Sequence, residues 1–473
     1  MRPSGRSPTC TAPPVGGLFF PQSASLGQDR TDYSTAIQDK IVYAGTSHPS
    51  FLTASQDLAK VGELRVLPKQ VERLCQRIGL ERCQERDDQV AAYLALPLVQ
   101  RKQAPAGVTP PPVAVVGTDG GRLQVRDDSW GSQAVPASPA EDSPAAPTPP
   151  TAAAPPPAAG QGATNASAEA EEKGPHWRED KVAVLMGMSS DTHPNDPCPQ
   201  IPGNFVDPTR MHKLVRQLRK GVPVEQEPAA AAPPPDSEGQ EFAAPGQPWQ
   251  PPKMEHKRLV ASRRNWDCFG PMVAAAAWAM GLFGSARRAF LGDGSENNWS
   301  VWRHYFGSFV PILDFIHART YVHAAAHAGR SRVEGWRCYV RWIAWVWQGD
   351  VPRVLEELRQ RQQQVGAPQD GDSDGHVRVV VARSLSYLQN NQGRMRYAEY
   401  RRQGLPITSS YVESAVKQIN QRVKGTEKFW TEQGAEAMLQ LRADRLSDDQ
   451  PLDAFWQRRQ QQTSGQRPYR RVA

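Results

Sequence analysis

The chain has 473 residues, with 56 Lys and Arg against 49 Asp and Glu, and the resulting formal charge of +7 suits an anionic partner such as DNA without demanding one. Six cysteines, at positions 10, 75, 83, 198, 268 and 338, form no Cys-x-x-Cys pair and no disulfide-like cluster, which predicts reduced packing thiols in a cytoplasmic protein. No apolar run reaches membrane-spanning length and the N-terminus lacks the core of a signal peptide, so no membrane partner is expected.

Residues 1–48 form an N-terminal arm without a readable pattern. Ser50 to Val61 reads as a helix, Gly62 as a turn, and Pro68 as the start of a second helix whose Val71, Leu74, Cys75 and Ile78 make one apolar stripe. This is a helix-turn-helix pattern, in which Lys69, Gln70, Arg73 and Arg77 would face the major groove. A plain helical hairpin with a solvated basic face has the same pattern, and both readings stay open for the helical region 49–104.

In PPVAVVGTDGGRLQVR, Val113 to Val116 read as a buried strand ending at Asp119, with Gly120 and Gly121 turning the chain into a half-exposed second strand. Asp119 is then either a hairpin-turn aspartate or a charge at the tip of a core strand. Two stretches, 127–174 and 225–252, are dominated by Ala, Pro, Ser and acids; they are too poor in apolar side chains to order themselves and read as disordered inserts within one α/β domain spanning 105–318, the first as an overgrown loop of the sheet. WREDKVAVLMGM between them resumes strand character. RRAFLGDG carries a second strand into Asp293, after a helix-like run Cys268 to Met280, and FVPILDFIH supplies another strand.

Residues 319–395 read as a helical insertion. Trp342, Trp345 and Trp347 within it could stack on bases, although aromatics at this density suit a helix core; His323 and His327 have zinc-like i, i+4 spacing, but HAAAH lacks the usual glutamate. The segment 396–446 contains GLPITSSYVESAVKQINQRVKGTEKFWTEQGAEAMLQL. As a helix it places Val412, Val416, Ile419 and Val423 on one buried stripe, while Glu413 shares a second face with Lys417, Asn420 and Lys424, residues suited to a phosphate backbone. Ser410-x-x-Glu413 is also a capping box. The tail 447–473 is polar and basic from Gln457 onward and reads as solvated.

Three acids from distant segments, two at strand ends and one on a helix, have the chemistry of a two-metal phosphoryl-transfer centre. With the blocks VVGTDGG, HWREDKVA, RRAFLGDG, ILDFIHA, MRYAEYRRQGLPITSSYVES, KQINQRVKG, KFW and GAEAMLQLRA in hand, the chain resembles the transposases of bacterial insertion sequences, most closely the Kra-four family, from about Tyr33 to the C-terminus. The resemblance implies a ribonuclease-H-like mixed sheet with a helical insertion, an Asp-Asp-Glu centre at Asp119, Asp293 and Glu413 holding two Mg²⁺ (or Mn²⁺) ions, and support from Asp314 and His317. It also implies cleavage and joining of double-stranded DNA at element ends, target DNA as a second substrate, a homo-oligomer that pairs two ends, and work in the cytoplasm at the nucleoid. A regulator that has kept DNA binding and lost catalysis, and a metal-dependent nuclease that cuts without joining, are the alternatives.

Overall fold

The computed structural model describes residues 10–11, 18–19, 33–126, 176–218 and 249–462, so both low-complexity inserts lie almost wholly outside the described residues. Cys10–Thr11 and Leu18–Phe19 form a short antiparallel ribbon. Helices α1 (Thr35–Ser47), α2 (Phe51–Lys60), α3 (Pro68–Ala95) and α4 (Leu98–Arg101) lead into strand β1 (Val113–Val125). Ser50, expected within the helix, instead caps α2 by accepting a bond from the Thr53 amide, and Pro68 opens α3 where its missing N–H costs nothing.

Strand β2 (Trp177–Ser189), helix α5 (Pro208–Leu218), strand β3 (Lys253–Ser262), helix α6 (Trp266–Ala279), strand β4 (Arg287–Gly292), helix α7 (Glu296–Tyr305) and strand β5 (Val310–Leu313) follow. The sheet runs β3-β2-β1-β4-β5, antiparallel among the first three and parallel from β1 to β5. Helices α8 (Phe315–His327), α9 (Arg332–Gln348), α10 (Val351–Val365), α11 (Val377–Asn391) and α12 (Tyr397–Arg402) form the expected helical region. Then come α13 (Ser410–Val423), the two-residue strand β6 (Phe429–Trp430), α14 (Glu432–Leu446) and α15 (Pro451–Gln462). Among the described residues, no helix is long and apolar enough to cross a membrane.

Four further details differ from the sequence reading. Asp119, Gly120 and Gly121 do not turn: β1 is one strand of 13 residues, and β2 pairs with it continuously from Val113 to Gln124, so the ladder holds the two glycines extended. Asp314 and His317 lie at the start of α8 rather than in a strand, because Asp314 is a better N-cap than a strand residue and accepts bonds from the Ile316 and His317 amides. Residues 457–462, expected in a solvated tail, belong to α15, which buries Leu452, Phe455 and Trp456. Helix α3 runs 28 residues and packs along α14, where a β-carbon on Gly79 would lie 2.5 Å from the carbonyl oxygen of Ala437. The helical region 49–104 is thereby seated on the C-terminal helices.

Of the insertion's tryptophans, Trp342 and Trp347 are buried and Trp345 is half-buried between Arg341 and Arg353. Cys75, Cys83, Cys198 and Cys338 are free and buried, and Cys268 is free and exposed.

Candidate active site

The parallel register fixes where two of the acids emerge. Strand β4 pairs with β1 only as far as Leu291 opposite Gly117, so Asp119 and Asp293 each stand two residues beyond the last pair, side by side at the carboxyl end of the parallel half. On that edge of β1 pairing resumes only at Gln124, opposite Phe429 of β6, which leaves Asp119 in an open gap of the sheet.

Strand alternation puts Gly117, Asp119 and Gly121 on one face. Helix α13 lies against that face, and its closeness depends on glycine: a β-carbon on Gly117 would fall 2.4 Å from Val412 Cγ2, and one on Gly121 would fall 2.8 Å from both Asp180 carboxylate oxygens and 3.1 Å from Asn420 Oδ1. Val412, Val416, Ile419 and Val423 are all buried, as their spacing predicts. The start of α13 is fixed by Asp314, whose Oδ1 accepts from the Ser409 amide at 2.9 Å, while Phe315 N donates to Ile407 O at 2.9 Å. Glu413, in the first turn of α13, is thus brought to the strand ends.

Glu413 does not close a capping box. The N-cap is Ser409, it makes no side-chain cap bond, and Glu413 Oε1 is buried without a hydrogen-bond partner. Burial first, then the charges of Asp314 and Asp119, push its carboxyl up to about 7, against the pull of His317 and Lys417. Asp119 is pushed up to about 6, again by burial first and then by Asp293, with Oδ1 accepting from the Gly120 amide at 2.7 Å. These mutual effects put Asp119, Asp293, Asp314 and Glu413 in one electrostatic neighbourhood.

A cation already stands among them. Burial opposes an imidazolium at His317, but its Nδ1 lies 2.6 Å from Asp314 Oδ2, and the charges of Asp314, Asp293 and Asp119 hold it protonated up to about 10. Asp314 in turn is held below the usual carboxylate range, because that bond, the imidazolium charge and the backbone donors outweigh its burial. Among the described residues, ligand atoms of Asp314, His317 and Glu413 lie within 4.8 Å of one another, a spacing one metal ion could bridge. Asp119 and Asp293 are outside that group of three; they flank it through the couplings above. His323 and His327 stack on each other in α8 with ring centroids 4.1 Å apart and join no such group.

Three neighbouring residues are not singled out by the sequence. Asn298 of α7, 2% exposed, donates from Nδ2 to Asp293 Oδ1 at 2.8 Å and accepts from the Thr118 hydroxyl at 2.9 Å, so one amide braces both strand ends. Asp180 of β2, fully buried opposite Gly121, has both carboxylate oxygens without a hydrogen-bond partner, and burial pushes it up to about 6 despite the charge of Lys424. Tyr387 of α11 donates to the Asp293 carbonyl at 2.6 Å and stacks on Tyr321 at 3.6 Å, which ties the helical insertion to the same corner.

The expected DNA contacts divide. Lys417 and Lys424 are exposed along α13, with Lys424 Nζ 5.8 Å from the Trp177 ring, whereas Asn420 turns its oxygen into the groove left by Gly121. On α3, Lys69 and Arg73 are exposed, although Lys69 pairs with Glu72 at 2.9 Å. Gln70 accepts from the Leu67 amide, and Arg77 is half-buried and donates to Gln38. No protein-family model matches the chain, and no curated protein matches it in sequence.

Proposed function

We propose that this protein is a DNA transposase of ribonuclease-H-like fold, which cleaves and joins element ends by phosphoryl transfer at Asp119, Asp293 and Glu413. The observation that carries the reading is the register of the parallel strands: Asp119 and Asp293 leave adjacent strands at the same offset, and Glu413 enters from a helix with a buried, unpartnered carboxylate oxygen. The mixed sheet, with a three-strand antiparallel meander and two crossover strands, supports the fold assignment.

The acid cluster is suited to divalent cations such as Mg²⁺ or Mn²⁺, since neighbouring carboxylates of like charge, one of them with an oxygen that has no protein donor, lower their energy by sharing a cation. Asp119, Asp293 and Glu413 would hold two ions, which supply charge stabilisation at the attacking and leaving oxygens. The chain's own part is positional. Asn298 orients Asp293, Asp314 fixes the start of α13, and Lys417 and Lys424 line the approach for a phosphate backbone. Double-stranded DNA, as element ends and as target, is the proposed partner. A homo-oligomer acting at the nucleoid follows from the need to hold two ends together.

The test is an assay of the purified protein with Mg²⁺ on labelled duplexes taken from the DNA flanking its gene, scoring both nicked and strand-transfer products. Nicking with joining supports the transposase, nicking alone the nuclease. Binding without either product supports the catalytically silent regulator.

A further inference from the structure

Beyond the acid cluster, the C-terminal end of α13 leads to a cleft. It has a volume of about 240 Å³ and lies where Phe429 and Trp430 of β6 meet Phe51, with Lys69 and Glu72 of α3 on one wall and Arg126 on the other. Segments distant in sequence build it, and three of its residues are held firmly. Trp430 Nε1 donates to Val423 O at 2.8 Å, the Arg126 amide donates to Trp430 O at 2.8 Å, and Phe51 meets Trp430 edge-on with centroids 6.1 Å apart. Aromatic walls with the exposed Arg126 and a Lys69–Glu72 ion pair on the rim suit a planar, polar-edged ring attached to a phosphate. The volume suits a ring system, given that an apolar cavity of roughly 150 Å³ takes up benzene.

The route to the cleft is also on the protein. Helix α13 runs alongside β1 in the same direction: Val412 sits at Gly117, Asn420 at Gly121, and Gln124 Nε2 donates to the carbonyls of Gly425 and Thr426. Lys417 and Lys424, both exposed, are two helical turns apart, about 10 Å, close to three nucleotide steps of roughly 3.4 Å. A strand whose phosphates follow these lysines runs toward the end of α13, where the Val423 carbonyl meets Trp430 of the cleft.

We propose that this cleft receives one unpaired nucleobase of a DNA strand lying along α13, stacked on Phe429 and Trp430, with the Lys69–Glu72 pair facing the base edge. The proposal rests on the reading that DNA is the substrate, and it adds a base-binding subsite remote from the acids.

The experiment is fluorescence anisotropy of the full-length protein in EDTA, with a labelled 12-nucleotide oligo(dA) and an abasic strand of the same length. The base-bearing strand is expected to bind about 5- to 100-fold more tightly, the range that base–aromatic stacking produces. Phe429→Ala should abolish that preference and leave abasic binding unchanged. Because Phe429 packs on His176, a second variant keeps the test sound: Gln76→Trp fills the cleft from its half-exposed wall and should have the same effect. Lys417→Ala with Lys424→Ala should weaken both strands alike. A preference for bases that survives both cleft variants, or no preference in the unaltered protein, overturns the subsite. Failure of the unaltered protein to bind either strand also overturns the subsite, whereas failure to bind or cleave the flanking duplexes overturns the DNA reading on which it rests.

Discussion

Two clusters of charged side chains in this molecule are built in opposite ways. Between α3 and α14, Arg82 reaches Asp444 at 2.9 Å and Arg86 reaches Glu436 at 2.9 Å, with Gln440 filling the remaining valence. Each buried charge there has its counter-charge. At the carboxyl end of β1 and β4, four carboxylates share a single imidazolium, and one of them, Glu413, holds an oxygen with no donor. The first arrangement satisfies itself and fixes how the N-terminal helices sit on the core. The second leaves negative charge that its own side chains do not balance, which the proposed binding of metal ions would compensate.

The largest expected effect breaks the comparison at the acids. Asp119→Asn, Asp293→Asn and Glu413→Gln should each lower Mg²⁺-dependent cleavage by about a thousandfold or more, as happens when one member of a catalytic unit is removed. Thermal unfolding of the variants should stay within a few degrees of the parent, because no structural ion pair is lost. Wild-type cleavage by any of the three would remove that residue from the proposed centre.

At the paired interface the outcome should reverse. Arg82→Ala strands Asp444 in the core and should destabilise the protein by about 3 to 5 kcal/mol, whereas the double change Arg82→Met with Asp444→Leu should be close to neutral. Urea unfolding distinguishes them; equal losses would mean that the pair itself, rather than the orphaned charge, sets the stability.

Asn298 links strand geometry to chemistry, so its removal should register on both scales. Asn298→Ala leaves Thr118 and Asp293 short of a partner and should cost about 1 to 3 kcal/mol, with cleavage reduced roughly 10- to 100-fold. Loss of stability with cleavage unchanged would leave it a bracing residue only.

Proton linkage provides a smaller test. Asp119 moves from 3.8 to about 6 and Glu413 from 4.5 to about 7, so between pH 4 and 7 the native state binds more protons at these positions than the unfolded chain does. Their contribution to stability is therefore complete below about pH 4 and declines as pH rises through 6 to 7. Without divalent ions, Glu413→Gln should flatten that decline in calorimetric scans. Mg²⁺ added at pH 6 should release protons, and its affinity should rise with pH over the same window. A metal-free slope identical in Glu413→Gln and the parent would contradict the assigned shift.

The smallest effect separates cap from catalyst. Ser410 does not cap α13, so Ser410→Ala should change stability by less than about 0.5 kcal/mol and leave cleavage near the parent value. A loss near 1 kcal/mol would restore the capping-box reading.

The sequence by itself determined what depends on short-range periodicity and residue type. The stripes of α3 and α13, the strand running into Asp293 and the helical character of the insertion are all present in the structure, because helical and strand periods appear directly in the order of apolar residues. Only the tertiary structure decided the rest. Gly120 and Gly121 have the composition of a hairpin turn, and the turn is overruled by a ladder to β2, a partner more than fifty residues away. Ser410-x-x-Glu413 has the spacing of a capping box, yet Asp314 anchors the preceding residue and frees the glutamate. Asp180 and Asn298 gain their importance from what lies beside them across the sheet, which no local pattern encodes. Periodicity belongs to one segment, whereas the partner of a buried charge comes from another, and only folding brings the two together.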